Sequence, residues 1–386
     1  MGEQGIIVVG GGMVGALSAL LLAQQGEQLH LVEKCPLAMP QPEDPFDLRV
    51  SAFSAQSKAL LEQANVWQDI PENRICAYQT LKTWEQGSQT LSFSSSDIGA
   101  EQLGYIIENR WVQAVLWQKL KQLPHVHFYE DVDVLAIMQN ERQVAVTLST
   151  QEIIKGRVLL ACDGANSAVR KHLHMPVTSW DYRQHCLLIS ITTNTSQQSA
   201  TWQEFRETGP CAFLPLAGNN ASLVWYHHPQ KIQQLKSLTN QQLKNVILDE
   251  FPTLTFDFEV HHKGSFPLTR RHAQHYYQGR VVLVGDAAHT INPLAGQGVN
   301  LGFKDVQCLV ELLTHCSDLS IPDILKRYQC ERKPANLLMQ TGMDIFYKVS
   351  KSNVGLLRIL RKGFLGIAQH SGELKKRIMR YAMGIN

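Results

Sequence analysis

Three short stretches hold residues whose types and spacing could do chemistry. The first is Gly10-Gly11-Gly12-Met13-Val14-Gly15, followed at a distance by Glu33. The second is Asp163-Gly164. The third is Gly285-Asp286-Ala287-Ala288-His289, with Pro293, Gly296, Gly298, Val299 and Asn300 behind it. Glycines at the first spacing let a backbone turn tightly and approach a pyrophosphate, and an acid about 20 residues on can accept hydrogen bonds from a ribose diol. Asp286, at what reads as the carboxyl end of a strand, could take a ribityl hydroxyl. The amides from Gly296 to Asn300, at a helix start, would face a group that becomes anionic.

These residues need elements to position them, and the flanking sequence supplies the elements. Ile6-Ile7-Val8-Val9 is a short β-branched run that reads as a buried strand. A helix from about Val14 to Gln25 and a strand from Gln28 to Val32 complete a strand–glycine loop–helix–strand–acid order, so dinucleotide binding is expected here. A glycine-rich surface loop would explain neither the strand nor Glu33. Ile6 to Ala23 is also apolar enough to be mistaken for an export signal. Residues Met1 to Gly5 carry no Lys or Arg, however, and no small-residue cleavage site follows, so the stretch is expected to fold.

Composition sets wide bounds. The 386 residues are 44% hydrophobic and 18% charged, the profile of a globular chain with a sizeable core. A formal net charge of +2 gives no reason to expect nucleic acid as a partner. Eight scattered cysteines include no C-x-x-C and no His/Cys cluster at zinc spacing, so no metal site is expected and the thiols read as free.

Further along the chain, Arg49 precedes a helical pattern from Ser54 to Ala64; it could reach a cofactor or remain a solvated loop residue. Tyr78 to Phe93 alternates around Gly87-Ser88 as a hairpin would. Trp111 to Leu123 reads as an amphipathic helix, and Val126–Tyr129, Val132–Gln139 and Val144–Thr150 as a meander of strands. Strands are also expected at Cys186–Thr193, Thr201–Arg206, Cys211–Leu216, Ala221–Tyr226 and Phe256–Phe266, with a helix at Thr239–Glu250. This antiparallel region presents Trp202, Phe205, Phe213, Trp225 and Tyr226, which could line an apolar pocket or form ordinary sheet core.

The three motifs, in this order, resemble the FAD-dependent aromatic hydroxylases of the para-hydroxybenzoate hydroxylase class. The string Gly-Asp-Ala-Ala-His-x-x-x-Pro-x-x-Gly-Gln-Gly-x-Asn looks like the ubiquinone-biosynthesis hydroxylases within that class. Thr83-Trp84-Glu85, Ala212-Phe213-Leu214-Pro215-Leu216, Phe266-Pro267-Leu268-Thr269-Arg270-Arg271-His272 and Gly342-Met343-Asp344-Ile345-Phe346-Tyr347 resemble the branch acting on demethoxyubiquinol. The resemblance covers essentially the whole chain. It implies an α/β fold: a Rossmann-like FAD-binding domain, an inserted antiparallel-sheet substrate domain and C-terminal helices. The expected division is 1–73, 98–179 and 266–343 for FAD, 74–97 and 180–265 for substrate, and 344–386 as a basic helical segment.

The resemblance also implies roles. Gly10, Gly12, Met13, Val14 and Gly15 would hold the FAD pyrophosphate, and Glu33 with Lys34 the adenosine ribose. Arg49 and Arg110 would contact the ribityl-phosphate region, and Val134 would lie by the adenine. Asp163 and Gly164 would approach the pyrophosphate, and Gly285 and Asp286 the ribityl and phosphate oxygens. Pro293, Gly296, Gly298, Val299 and Asn300 would run beside the isoalloxazine. His289 is the candidate for moving a proton, grouped with Pro293 at the ring; a histidine bonded beside the Gly-Asp turn is the alternative. Phe213, Trp225 and Arg270 are the substrate candidates, with a structural salt bridge equally open to Arg270.

The implied reaction is ring hydroxylation of a prenylated quinol by O₂ through a C4a-hydroperoxyflavin. NAD(P)H or another electron donor is the reductant, and no second dinucleotide fingerprint marks a place for it. A sister hydroxylase at another ring carbon, a hydroxylase of a small phenol, an FAD-dependent reductase of a prenylated substrate, and a prenyl carrier without turnover remain as alternatives. From Lys348 onward Lys351, Arg358, Arg361, Lys362, Lys375, Lys376, Arg377 and Arg380 are interleaved with apolar residues. Basic amphipathic helices suit an anionic membrane surface. The expected location is therefore cytoplasmic and peripheral at the inner face of the membrane, with a multiprotein biosynthetic complex as a further partner.

Overall fold

The structure, a computed structural model, describes residues 5–85, 90–251, 253–291, 298–316 and 319–351, with side chains to 345. Ile6–Val9, buried at every position, lies inside a six-stranded sheet. Its order is Tyr277–Gln278, Val281–Leu283, Val158–Ala161, Ile6–Val9, Leu29–Glu33, Val126–Glu130. All neighbours are parallel except the short Tyr277–Gln278 edge. Helix Met13–Gln24 makes the crossover between two of these strands and is buried continuously from Gly15 to Ala23. Its all-round apolar sequence follows, because helices Asn109–Lys121 and Gly298–His315 also pack against it.

This order places the chemistry. Gly10 follows Val9, Cys162-Asp163 follows Ala161, Val284-Gly285-Asp286 follows Leu283, and Glu33 ends its own strand. All three motifs thus meet at the carboxyl ends of four adjacent strands, where open parallel sheets bind ligands.

A second sheet of eight strands runs His289–Thr290, Phe258–Ala273, Val177–Thr193, Asn220–His227, Cys211–Pro215, Ala200–Phe205, Thr80–Glu85, Leu91–Ser94. It is antiparallel throughout except where Thr80–Glu85 runs parallel to Ala200–Phe205. Helices Pro229–Ser237 and Asn240–Glu250 cover one face over a core of Leu187, Ile189, Phe213, Leu223, Trp225, Ile247 and Phe251. Thr239 and Gln242 form the capping box that starts the second helix. The hairpin strands flanking Gly87-Ser88 pair as expected; the turn itself lies outside the described residues.

Two features differ from the sequence reading. Val126–Glu130 joins the parallel sheet as its edge, and the meander is instead Val134–Gln139, Val144–Leu148 and Ile153–Gly156. The helix Pro229–Ser237 was not expected; proline at its first turn reads as a breaker, although that position tolerates it well. Strands Val177–Thr193 and Phe258–Ala273 run through positions 180 and 266, where the division into FAD and substrate parts is proposed. Helix Ile321–Lys351 follows, and residues 352–386 of the basic segment lie outside the described residues. Among the described residues no helix is long and apolar enough to cross a membrane, and no cluster could hold a metal ion.

Candidate functional site

The glycine loop is built by exclusion on one side and openness on the other. Gly10 has φ +100°, and a Cβ there would lie 2.5 Å from the Cys162 carbonyl oxygen. A Cβ on Gly15 would lie 1.9 Å from the Gly10 oxygen, so helix and strand approach as only glycine permits. By contrast a Cβ on Gly12, Gly164 or Gly298 would meet nothing within 4 Å. These three glycines, one from each motif, border open space at the strand ends.

The loop is held from behind. Trp117 Nε1 and Gln113 Nε2 donate to the Gly11 carbonyl at 2.6 and 3.0 Å. Gly11 N–H donates to Glu33 Oε2 at 2.5 Å, and Cys35 N–H to Oε1 at 2.8 Å. Glu33 therefore braces the loop, and each of its oxygens keeps a lone pair for a ribose hydroxyl. Lys34 pairs with Asp133 at 3.0 Å in the open, which brings it beside half-buried Val134.

Asp163 carries the most telling atom. Its Oδ2 accepts the Val169 N–H at 3.0 Å, whereas Oδ1 is buried with no partner. Such an oxygen costs about 1–3 kcal/mol unless a donor arrives. An orphaned acceptor beside open-faced glycines fits a nucleotide cofactor with hydroxyls and bound water to offer. Arg170 ties this motif to the third, donating to Ala165 O at 2.8 Å and Ala287 O at 2.6 Å.

Asp286 reaches solvent in this cleft although protein surrounds it. Burial pushes its carboxyl up, against the opposing pull of His289 and Arg49. Arg49, whose charge acts on Asp286, therefore lies on the side of the third motif. Arg110 is committed elsewhere: it pairs with Glu108 at 3.0 Å and Asp44 at 3.5 Å and donates to Pro45 O. Glu108 is fully buried and also holds Arg74 at 3.2 Å, so this network fastens the 42–47 loop beside the site.

His289 is 1% exposed, and its Nε2 lies 2.5 Å from Asp305 Oδ2. Asp305 also accepts Gly285 N–H at 3.2 Å, Arg332 Nε at 2.7 Å and Asn336 Nδ2 at 3.0 Å. Burial alone would raise this carboxyl, but His289, Arg332 and Asn336 together hold it down to about 2. The partner and the burial place His289 as the bonded histidine beside the Gly285-Asp286 turn, the alternative that the sequence left open to a proton-moving role. Sequence reading missed Asp305, Arg332 and Asn336; a lone acid on the buried face of helix Gly298–His315 was the one available signal.

Asn300, expected beside the ring, is 3% exposed and acts as a clamp. Its Oδ1 accepts Ser54 N–H at 3.0 Å and the Ser57 hydroxyl at 2.7 Å, and its Nδ2 donates to Ala52 O at 2.9 Å. That fixes the helix start at Gly298-Val299 against strand Val50–Phe53. Pro293 and Gly296 lie outside the described residues.

Phe213 and Trp225, expected at the substrate, face the other way. They are 2% and 1% exposed and pack with Trp202, Phe251 and Phe256 under the two helices. Side chains alternate along a strand, so their neighbours Ala212, Leu214, Val224 and Tyr226 occupy the opposite face with Cys186, Leu188 and Leu268. On that face a Cβ on Gly264, paired with Leu188, would lie 3.0 Å from Leu48, next to Arg49 in the chain. Arg270 forms an ion pair with Asp344, whose other oxygen accepts the Tyr182 hydroxyl.

The chain is similar along its whole length to known proteins. The family described as "FAD binding domain" matches residues 3–340. The chain is 40% identical to the 3-demethoxyubiquinol 3-hydroxylase of Escherichia coli K12 over 98% of both chains. It is 28% identical to the ubiquinone biosynthesis monooxygenase COQ6 of Danio rerio, covering 98% of this chain and 89% of that one. Among solved structures, p-nitrophenol 4-monooxygenase PnpA of Pseudomonas putida superposes with a TM-score of 0.79 at 18% identity, over 99% of this chain and 98% of that one. That last likeness speaks for the fold. The chain belongs to the FAD-binding domain family and, within it, to the FAD-dependent monooxygenases.

Proposed function

We propose that this protein hydroxylates the aromatic ring of a prenylated benzoquinol in ubiquinone biosynthesis, at the demethoxyubiquinol step. The observation that carries the reading is end-to-end likeness at 40% identity to a 3-demethoxyubiquinol 3-hydroxylase. Bound FAD would supply the redox chemistry, passing two electrons from NAD(P)H or another donor to O₂ so that one oxygen atom of O₂ enters the ring and the other leaves as water. The chain supplies placement. Gly10, Gly12, Met13, Val14 and Gly15 would take the pyrophosphate at the helix N-terminus, and Glu33 the ribose. Asp163 Oδ1, Gly164, Gly285, Asp286 and Arg49 would take the polar oxygens along the middle of the cofactor. Arg110 would act through the 42–47 loop that it fastens.

The amides of Gly298 and Val299 open a helix of 18 residues, so its positive end stabilises negative charge developing beside it. The clamp at Asn300 fixes those amides in advance. The apolar sheet face of Leu188, Ala212, Leu214, Val224 and Tyr226 would exclude water and seat the quinol ring, whose own hydroxyl activates it. The basic residues beyond Lys348 would hold the protein at an anionic membrane where its lipid substrate dissolves. Deleting the gene and weighing the quinone extract tests the step: demethoxyubiquinone should accumulate. An earlier prenylphenol would move the protein to a sister hydroxylation, and an unchanged pool would overturn the pathway.

A further inference from the structure

A cavity of about 280 Å³ lies between strands Val177–Thr193 and Phe258–Ala273 and helix Ile321–Lys351. Trp180, Tyr182, Leu337, Arg270, Asp344 and His272 line it. It is separate from the flavin cleft. Arg271, between Arg270 and His272, points to the opposite side of the strand and donates to Ala165 O and Asn166 Oδ1 at 2.6 Å each.

His272 makes this more than a void. The residue is 7% exposed, and its Nε2 is buried with no partner. The tautomer is fixed by the neighbouring amide. Gln340 Nε2 donates to Arg271 O at 2.9 Å and Thr290 O at 3.1 Å, so the amide oxygen must face His272 Nδ1, 2.9 Å away. Nδ1 therefore carries the hydrogen, and Nε2 offers a lone pair. Burial first, then the charges of His289, Lys333 and Arg270, push the ring pKa down to about 4, and only the Gln340 bond opposes them. The acceptor is neutral at ordinary pH.

The walls narrow the ligand. Arg270 is met by Asp344, which also accepts the Tyr182 hydroxyl, so that charge is neutralised within the protein. Trp180 and Tyr182 present aromatic rings and Leu337 an aliphatic one-sided wall. The volume lies just below the range of about 300–1,000 Å³ for small-molecule sites, enough for one substituted ring and too little for a dinucleotide.

We propose that this cavity is a second binding site, distinct from the flavin cleft, for a neutral hydroxylated aromatic ring. The ring hydroxyl donates to His272 Nε2, and the ring packs between Trp180 and Tyr182. A phenol or quinol head group is the class it fits. The assignment stands independently of which ring the flavin oxidises.

The test titrates phenol, and then anisole, into the full-length FAD-loaded protein by calorimetry while the flavin absorbance is recorded. Phenol should saturate a site without altering the flavin spectrum, and anisole, lacking the O–H, should bind at least tenfold more weakly. His272→Phe should erase that preference, and Trp180→Ala, at a residue 60% exposed, should weaken both ligands while flavin content and melting temperature hold. Should His272→Phe fail to fold, Trp180→Ala decides. Equal binding of phenol and anisole would overturn the proposal. So would phenol binding that perturbs the flavin and survives Trp180→Ala, or no saturable binding, the cavity then holding water only.

Discussion

Asp163 shows how much a single unpaired atom says about a site. Its buried Oδ1 awaits a donor, so Asp163→Ala should weaken FAD binding by about tenfold or more, the worth of one hydrogen bond to a charged group; flavin fluorescence titration reads this directly. His289→Gln separates bracing from proton transfer. Losing the buried bond to Asp305, which Arg332 and Asn336 still hold, should cost about 1–3 kcal/mol of stability. Both limbs of the pH–rate profile should survive in the flavin-loaded variant, whereas loss of one limb would restore a proton-moving role. His272 should shape acid stability. Its folded pKa lies below the unfolded value, so the unfolded chain binds the extra proton as pH falls from about 6.5 to about 4. Stability is therefore fully present above that window and lost through it, and His272→Phe should flatten the fall in melting temperature. The glycines and Glu33 were legible in the sequence because their geometry is local. The Asp305–His289–Arg332–Asn336 network was not, since its members come from separate elements that only the fold brings together.

At the scale of elements, the strands and helices flanking each motif lie within a few residues of where apolar patterning places them. Which face each strand buries was not readable, because both faces of the eight-stranded sheet are apolar: one carries Phe213 and Trp225, the other Leu214, Val224 and Tyr226. Phe213 and Trp225 could have been pocket or sheet core by sequence, and they are core under two helices. The contrast is measurable. Phe213→Ala should cost about 3–5 kcal/mol in chemical denaturation. Leu214→Ala, half-buried on the opposite face, should leave stability nearly unchanged and raise the KM for quinol. The reverse pattern would put the substrate on the helical side. Val126–Glu130 was misplaced for a related reason: a strand's sequence does not name its neighbour, and here it pairs in parallel with Leu29–Glu33.

Across the whole molecule, a parallel sheet gathers three distant motifs at its carboxyl edge, and an antiparallel sheet meets them through His289–Thr290 and Arg271. The order of the motifs was enough to place the chain in its class. The basic segment adds a separate claim about location. Neutralising Arg358, Arg361, Lys362, Lys375, Lys376 and Arg377 together should abolish sedimentation with anionic liposomes and leave flavin binding intact; retained liposome binding would remove the membrane from the account. The central claim is that this protein inserts oxygen from O₂ into the ring of a prenylated quinol. Cells lacking the protein should be restored under ¹⁸O₂ and their quinones weighed. One ¹⁸O atom in the newly formed ring hydroxyl of the rescued quinone is the predicted result. Rescue with an unlabelled hydroxyl would contradict it, because the oxygen would then come from water.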